Sequence, residues 1–271
     1  MKLKTQYYQQ FDADFSGDVP AEGFGGWQEA EVEIDPERTA VVVMHAWDAG
    51  TSDQYPGWHR CVEYFARADR ICKEVFPPLL SAVRKSGMTL FHVAGGSDYA
   101  KNYPGYRKAV QLAGPEPPPP ETIDPDRVTK RLSEFRDAEV FVGSHNAEDV
   151  ARGFQNVDFP PEARPLDNEG AAENGHQLFA LCKEAGVNHL IYAGFAINWC
   201  LLLSPGGMAD MKPRGFTCSA LRQAVTAVEN KETSRRELCK DLALWRVSIL
   251  YGCVFDVDNF IDALGLWARS R

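Results

Sequence analysis

Two short apolar runs rich in β-branched residues, separated by a stretch of helical period, constrain this chain more than any other feature. Residues 39–47 read TAVVVMHAW and residues 88–96 read MTLFHVAGG, the pattern of strands buried on both faces. Between them Val62, Phe65, Ala66, Ile71, Val75, Leu79, Leu80 and Val83 recur mostly at helical intervals, with Pro77 and Pro78 ending one helix and starting the next. Strand, helix, strand is the crossover of a parallel sheet. The pattern returns later, with a helix over 176–185 stopped by Gly186, strands over 190–193, 216–221 and 253–257, and a helix over 233–245. Helices are also expected over 127–135 and 146–154, a strand-like AEVFVG over 138–143, and a short strand around 163–166. The expected fold is α/β, a doubly wound and mainly parallel sheet of about six strands. Residues 1–37, polar and aperiodic, read as an arm lying over the domain or a neighbouring subunit, and 38–271 as a single domain. The proline-rich stretch 114–125 reads as a surface loop or lid.

Composition narrows the partners. A formal net charge of −9, with no basic run longer than Arg235–Arg236, argues against nucleic acid or an anionic membrane surface as the main partner. No apolar run approaches the roughly 20 residues that cross a bilayer. The seven cysteines are scattered without CxxC or zinc-ligand spacing, and the opening MKLKTQYYQQ lacks the apolar core of a secretion signal. Free thiols in a reducing cytoplasm are expected, with no metal and no cofactor. No GxGxxG follows the first strand, which sets aside a dinucleotide binder.

The chemistry concentrates in HLIYAGFAINWCLLL, residues 189–203. Here an apolar strand leads through Gly194 into an apolar helix opening at Trp199, and Cys200 falls in the first turn. Unpaired N–H groups and the positive end of the helix dipole favour a thiolate there, and the same N–H groups can bind a developing oxyanion. In a doubly wound sheet, ligands bind at the carboxyl ends of the strands where the strand order reverses. If the strands at 39–44 and 190–193 flank that crevice, His45 and Cys200 converge on it as a histidine–cysteine dyad.

These residues carry a family resemblance. GFAINWC, residues 194–200, resembles the nucleophile motif of the isochorismatase-like cysteine hydrolases, which include nicotinamidases and carbamoylsarcosine amidohydrolase. TAVVVMHAW resembles that family's opening strand, GHQLFALCKEAGVNHLIYAG its lead-in to the cysteine, and RGFTCSALRQAVTA the strand and loop that follow. The resemblance spans about 39–264. It implies a three-layer α/β/α fold, a small-molecule substrate, homo-oligomeric assembly and an Asp–Lys–Cys triad. Cys200 would be the nucleophile, Phe195–Ala196 a cis peptide bond, and the N–H groups of Ala196 and Cys200 the oxyanion hole.

The departures are specific. His45 stands where the family has its aspartate, and residues 160–177 contain no lysine, Arg164 being their one cation. Ile197 occupies a position where threonine is common. Two readings follow: a divergent cysteine hydrolase of small amides, with His45 as base, Asp48 nearby, and Arg164 or Glu173 supplying polar contacts; or a catalytically silent scaffold that binds a ligand or assembles. Trp47, Trp58, Phe195 and Trp199 are candidates for an aromatic pocket wall, with Asp48 and Ile197 completing the pocket.

Overall fold

The computed structural model describes residues 1–167 and 169–270. Among them one sheet runs through β1 (Lys2–Gln9), β2 (Gly26–Glu33), β3 (Thr39–Met44), β4 (Thr89–Val93), β5 (Gly170–Ala172), β6 (His189–Phe195), β7 (Thr217–Thr226) and β8 (Val254–Phe255). The spatial order is β2-β1-β8-β7-β6-β3-β4-β5, with β3 to β8 parallel and β1 and β2 antiparallel at one edge. The helices are α1 (Pro56–Cys61), α2 (Phe65–Arg70), α3 (Phe76–Ser86), α4 (Pro104–Ala113), α5 (Arg127–Glu139), α6 (Ala147–Asn156), α7 (Gly175–Ala185), α8 (Met208–Met211), α9 (Leu238–Leu250) and α10 (Val257–Arg269).

Strand alternation sends neighbouring side chains to opposite faces, and so it builds two cores. Val41 and Val43 of β3 pack with Phe76, Leu79, Leu80 and Phe260 of α3 and α10. Val42 and Met44 pack on the other face with Leu178, Leu181 and Leu244 of α7 and α9. All six residues of β3 are therefore buried, which is why an unbroken apolar run marks it. The three-layer α/β/α arrangement follows.

Several expectations need correction. Residues 1–37 are not an aperiodic arm: β1 pairs with β2 from Lys2↔Glu33 to Gln9↔Gly26, and with β8 at Thr5↔Phe255. Polar residues alternate along β2 because one strand face meets solvent, and that alternation hides in a charged segment. The sheet thus has eight strands, not about six. AEVFVG is not a strand, since α5 continues to Glu139 and a turn with a cis Phe141–Val142 bond follows. The short strand after it is β5 at Gly170–Ala172 rather than near Ala163, where Pro161–Ala163 form a single 3₁₀ turn. The helix expected from Thr233 begins at Leu238, after a separate 3₁₀ turn at Ser234–Arg236. Pro77 and Pro78 sit in the first turn of α3, as expected, but a wide turn at Ile71–Val75 joins it to α2 without a break.

The proline-rich residues 114–125 hold neither helix nor strand. One point of that loop is fixed: the Glu116 carboxylate accepts hydrogen bonds from Asn174 Nδ2 (3.1 Å) and Gln177 Nε2 (2.9 Å) at the start of α7.

The strand order reverses between β3 and β6. They are neighbours, with Met44 opposite Gly194, so their carboxyl ends open the crevice. The close approach requires glycine at 194, where φ is +119° and a Cβ would stand 1.9 Å from the Met44 carbonyl oxygen.

Candidate active site

The cysteine arrives from β6. After Phe195 the chain passes a cis Phe195–Ala196 bond and enters a helical segment, Ile197–Leu201, whose Trp199 and Leu201 N–H groups donate to the Ala196 carbonyl (3.2 and 3.1 Å). Cys200 is half-buried in that segment. Asn198 holds the turn to the exit of β7: its Nδ2 donates to the Val228 carbonyl (2.8 Å) and its Oδ1 accepts the Val228 N–H (2.9 Å). A polar side chain between two strand exits thereby fixes where the thiol sits.

The histidine arrives from β3. His45 has φ +50°, and its N–H donates to the Val93 carbonyl (2.9 Å), tying the exits of β3 and β4 together. Its ring is 8% exposed, lies parallel on Trp47 (5.4 Å, 15° between planes), and is capped by Gly95, where a Cβ would meet Nε2 at 2.5 Å. Trp47 Nε1 donates in turn to the Tyr99 hydroxyl (3.0 Å), as does the Gly95 N–H (3.3 Å). Burial pulls the His45 pKa down to about 4, against a weaker opposing effect of the Ala94 backbone, so the imidazole is neutral at physiological pH. Its Nδ1 has no hydrogen-bond partner among the described residues.

His45 and Cys200 therefore share one end of the sheet, but no hydrogen bond joins them among the described residues. The dyad is not formed in this arrangement. Arg164 corrects the expectation further: it reaches Asp158 (3.4 Å) and the Phe159 carbonyl (3.4 Å) on its own loop, a short way along the chain. The pairing of Asp48 with Asp158 holds that loop against the exit of β3, where Arg164 serves Asp158 rather than the cysteine. Glu173, just past β5, accepts a hydrogen bond from the Tyr106 hydroxyl (2.8 Å).

The expected pocket wall also divides. Phe195, 2% exposed, stacks on Phe76 (5.9 Å, 17°) in one core, and Ile197 is fully buried in the other. Trp58 is likewise core, edge-on to Phe65 at 5.0 Å. Trp199 is 44% exposed beside Cys200 and meets Phe141 edge-on at 5.5 Å. Trp47 and Asp48 instead line a separate cleft of about 540 Å³, together with His59, Phe65, Asp69 and Glu162.

No protein-family model matches this chain, and no curated protein does. Among solved structures it is similar to a cysteine hydrolase from Pseudomonas syringae pv. phaseolicola, at 14% identity over 86% of this chain and 95% of that one, with a TM-score of 0.48. An isochorismatase-like hydrolase from Alkaliphilus metalliredigens has 15% identity over 83% and 98%, with a TM-score of 0.48. The nicotinamidase of Bacillus subtilis has 15% identity over 81% and 99%, with a TM-score of 0.44.

Two residues at this end of the sheet escape sequence reasoning. Arg67 of α2 pairs with Glu63 (2.8 Å) and donates to Thr226 Oγ1 (2.9 Å) and the Ala227 carbonyl (2.9 Å) at the exit of β7. Tyr64, just before α2, packs against Phe195 with ring centroids 6.4 Å apart. Apolar periodicity passes over the polar Arg67, and Tyr64 falls between the apolar positions Val62 and Phe65. Among the described residues no group of His, Cys, Asp and Glu could hold a metal ion, and no helix is long and apolar enough to cross a membrane.

Proposed function

We propose that this chain is a cysteine hydrolase of the isochorismatase-like kind, cleaving a C–N bond of a small amide with Cys200 as nucleophile. One observation carries the reading: a half-buried thiol lies in the first turn of a helical segment directly after β6, beside the point where the strand order reverses. In the proposed cycle the sulfur attacks the amide carbonyl, the N–H groups of Ala196 and Cys200 hold the oxyanion, and the C–N bond breaks as the nitrogen takes up the proton that the thiol gave up, so that the amine leaves neutral. Water then releases the acid and restores the thiol. His45, neutral at physiological pH, is the base this reading assigns to the thiol proton. The reading extends to a small-molecule substrate and to assembly of several copies.

A second reading, a ligand-binding scaffold without turnover, is favoured by the missing hydrogen bond between His45 and Cys200 and by the engagement of Arg164 with Asp158. A panel of small amides offered to the wild type and to Cys200→Ser separates the two. The hydrolase reading expects turnover that falls about a thousandfold or more in the variant. Turnover that survives the change removes Cys200 as nucleophile, and binding without turnover in both proteins favours the scaffold.

A further inference from the structure

α5 is a well-capped helix with nothing packed over it. Asp126 accepts the Val128 and Thr129 N–H groups (2.7 and 2.8 Å), yet none of the 13 residues of the helix is buried. Val128, Leu132 and Phe135 are 60, 60 and 59% exposed. Spaced four and three residues apart, they form one apolar stripe along the helix. A helix this short owes its stability to packing of such a stripe, and its own chain does not supply the packing.

The apolar surface continues past the end of α5. The Phe141 N–H returns to the Arg136 carbonyl (3.0 Å), and the Phe141 ring meets Trp199 edge-on at 5.5 Å. Leu203, one helical turn beyond Trp199, is 68% exposed. Together with Val140 these side chains leave on the order of 700 Å² in water, more than a monomer usually exposes in one patch and close to the roughly 800 Å² that each partner buries in a stable complex.

The charges beside the stripe complement themselves. At about 100° per residue, Arg127 and Arg131 fall on one flank in the first half of α5, and Glu134 falls on the same flank in the second. None of the three forms an ion pair among the described residues. An antiparallel pair of α5 helices, related by a two-fold axis near Leu132, sets Arg131 of each copy against Glu134 of the other. A lipid surface fits less well: α5 balances its basic residues with Glu134, Asp137 and Glu139, in a chain of net charge −9.

We propose that α5 is a dimerisation surface, its stripe packing on the same stripe of a second copy. The proposal rests on the assembly of several copies that the hydrolase reading includes, gives that assembly a surface, and does not depend on the chemistry of Cys200. Since the exposed surface runs to Trp199, one residue before Cys200, the second copy stands at the rim of the candidate site.

Sedimentation velocity of the full chain from about 1 to 100 μM is the test. Wild type is expected to dimerise within this range. Leu132→Asp, which puts two carboxylates at the axis, should weaken the dimer about a hundredfold, and Arg131→Glu about tenfold. Adding Glu134→Arg to Arg131→Glu restores the opposite charges in reversed order and should recover association at low salt, a rescue that unfolding of α5 would not permit. Assembly indifferent to all three variants overturns α5 as the surface and leaves the assembly itself standing. Wild type that stays monomeric throughout overturns both, and if it then co-sediments with phosphatidylserine vesicles, the stripe belongs to a lipid surface.

Discussion

His45 should leave a signature in stability that is independent of any substrate. Its folded pKa of about 4 lies below an unfolded value near 6.5. Native protein therefore binds this proton less readily than unfolded chain, and the contribution of His45 is fully present above pH 6.5. It is lost as pH falls from 6.5 to 4, with an upper size of about 3 kcal/mol from the 2.5-unit gap. Between pH 7.5 and 4.5 most of this, about 2.5 kcal/mol, disappears. His45→Asn removes the titration while keeping a residue that tolerates the positive φ of 50°. Urea denaturation at the two pH values is the assay. His189, also pulled down to about 4 by burial, and the carboxylates titrate alike in both proteins and cancel in the difference. The wild-type midpoint should fall by about 1 M more than that of the variant. Equal falls refute a buried neutral imidazole. A larger fall in the variant would mean that His45 is charged and paired in the native state, as an imidazolium–thiolate dyad requires.

Two further predictions concern the scaffold. The Glu169 carboxylate accepts from Arg84 Nε (2.7 Å) and from a second Arg84 nitrogen (2.9 Å), from His92 Nε2 (2.9 Å) and from the Leu166 N–H (3.0 Å). Burial opposes its ionisation, yet the bonds from His92 and Arg84 prevail and bring its pKa to about 2. Its stabilisation is present above about pH 4.5 and lost as pH falls toward 2, so Glu169→Gln should cost about 2–3 kcal/mol in denaturant at pH 7 and almost nothing near pH 2. Gly194→Ala forces a Cβ to within 1.9 Å of the Met44 oxygen at φ +119° and should cost about 3 kcal/mol or more. A thermal midpoint within a degree of wild type would refute that close approach.

How much of this was legible in the sequence depends on what each residue touches. The central strands were, because β3, β4 and β6 are covered on both faces and most of their positions are apolar. The edge was not: β1 and β2 carry lysines, glutamines and glutamates toward solvent, and what joins their ladder to the sheet is the pairing of β1 with β8, nearly the whole chain away. The position of Cys200 was legible for a local reason, since strand, glycine and turn are consecutive. Arg164 was misplaced for the opposite reason: its partner, Asp158, lies six residues back, and nothing in the spacing separates a cation aimed at the site from one serving its own loop.

The same distinction bears on the chemistry. His45 stands at a strand end that sequence pattern locates well, yet its protonation state depends on Trp47, Gly95 and Tyr99, which close over it from β3 and β4. A histidine at a strand end in water would be partly charged at neutral pH; enclosed as here, it is a neutral base held away from a charged state. Stabilising a thiolate by a permanent imidazolium is therefore closed to this arrangement. With His45 neutral, the donors that the helical turn itself offers a thiolate are its own amide N–H groups, which carry no net charge. A Cys200 alkylation rate that varies little between 20 mM and 500 mM salt would fit neutral donors, and a steep fall with salt would place a nearby cation at the sulfur instead.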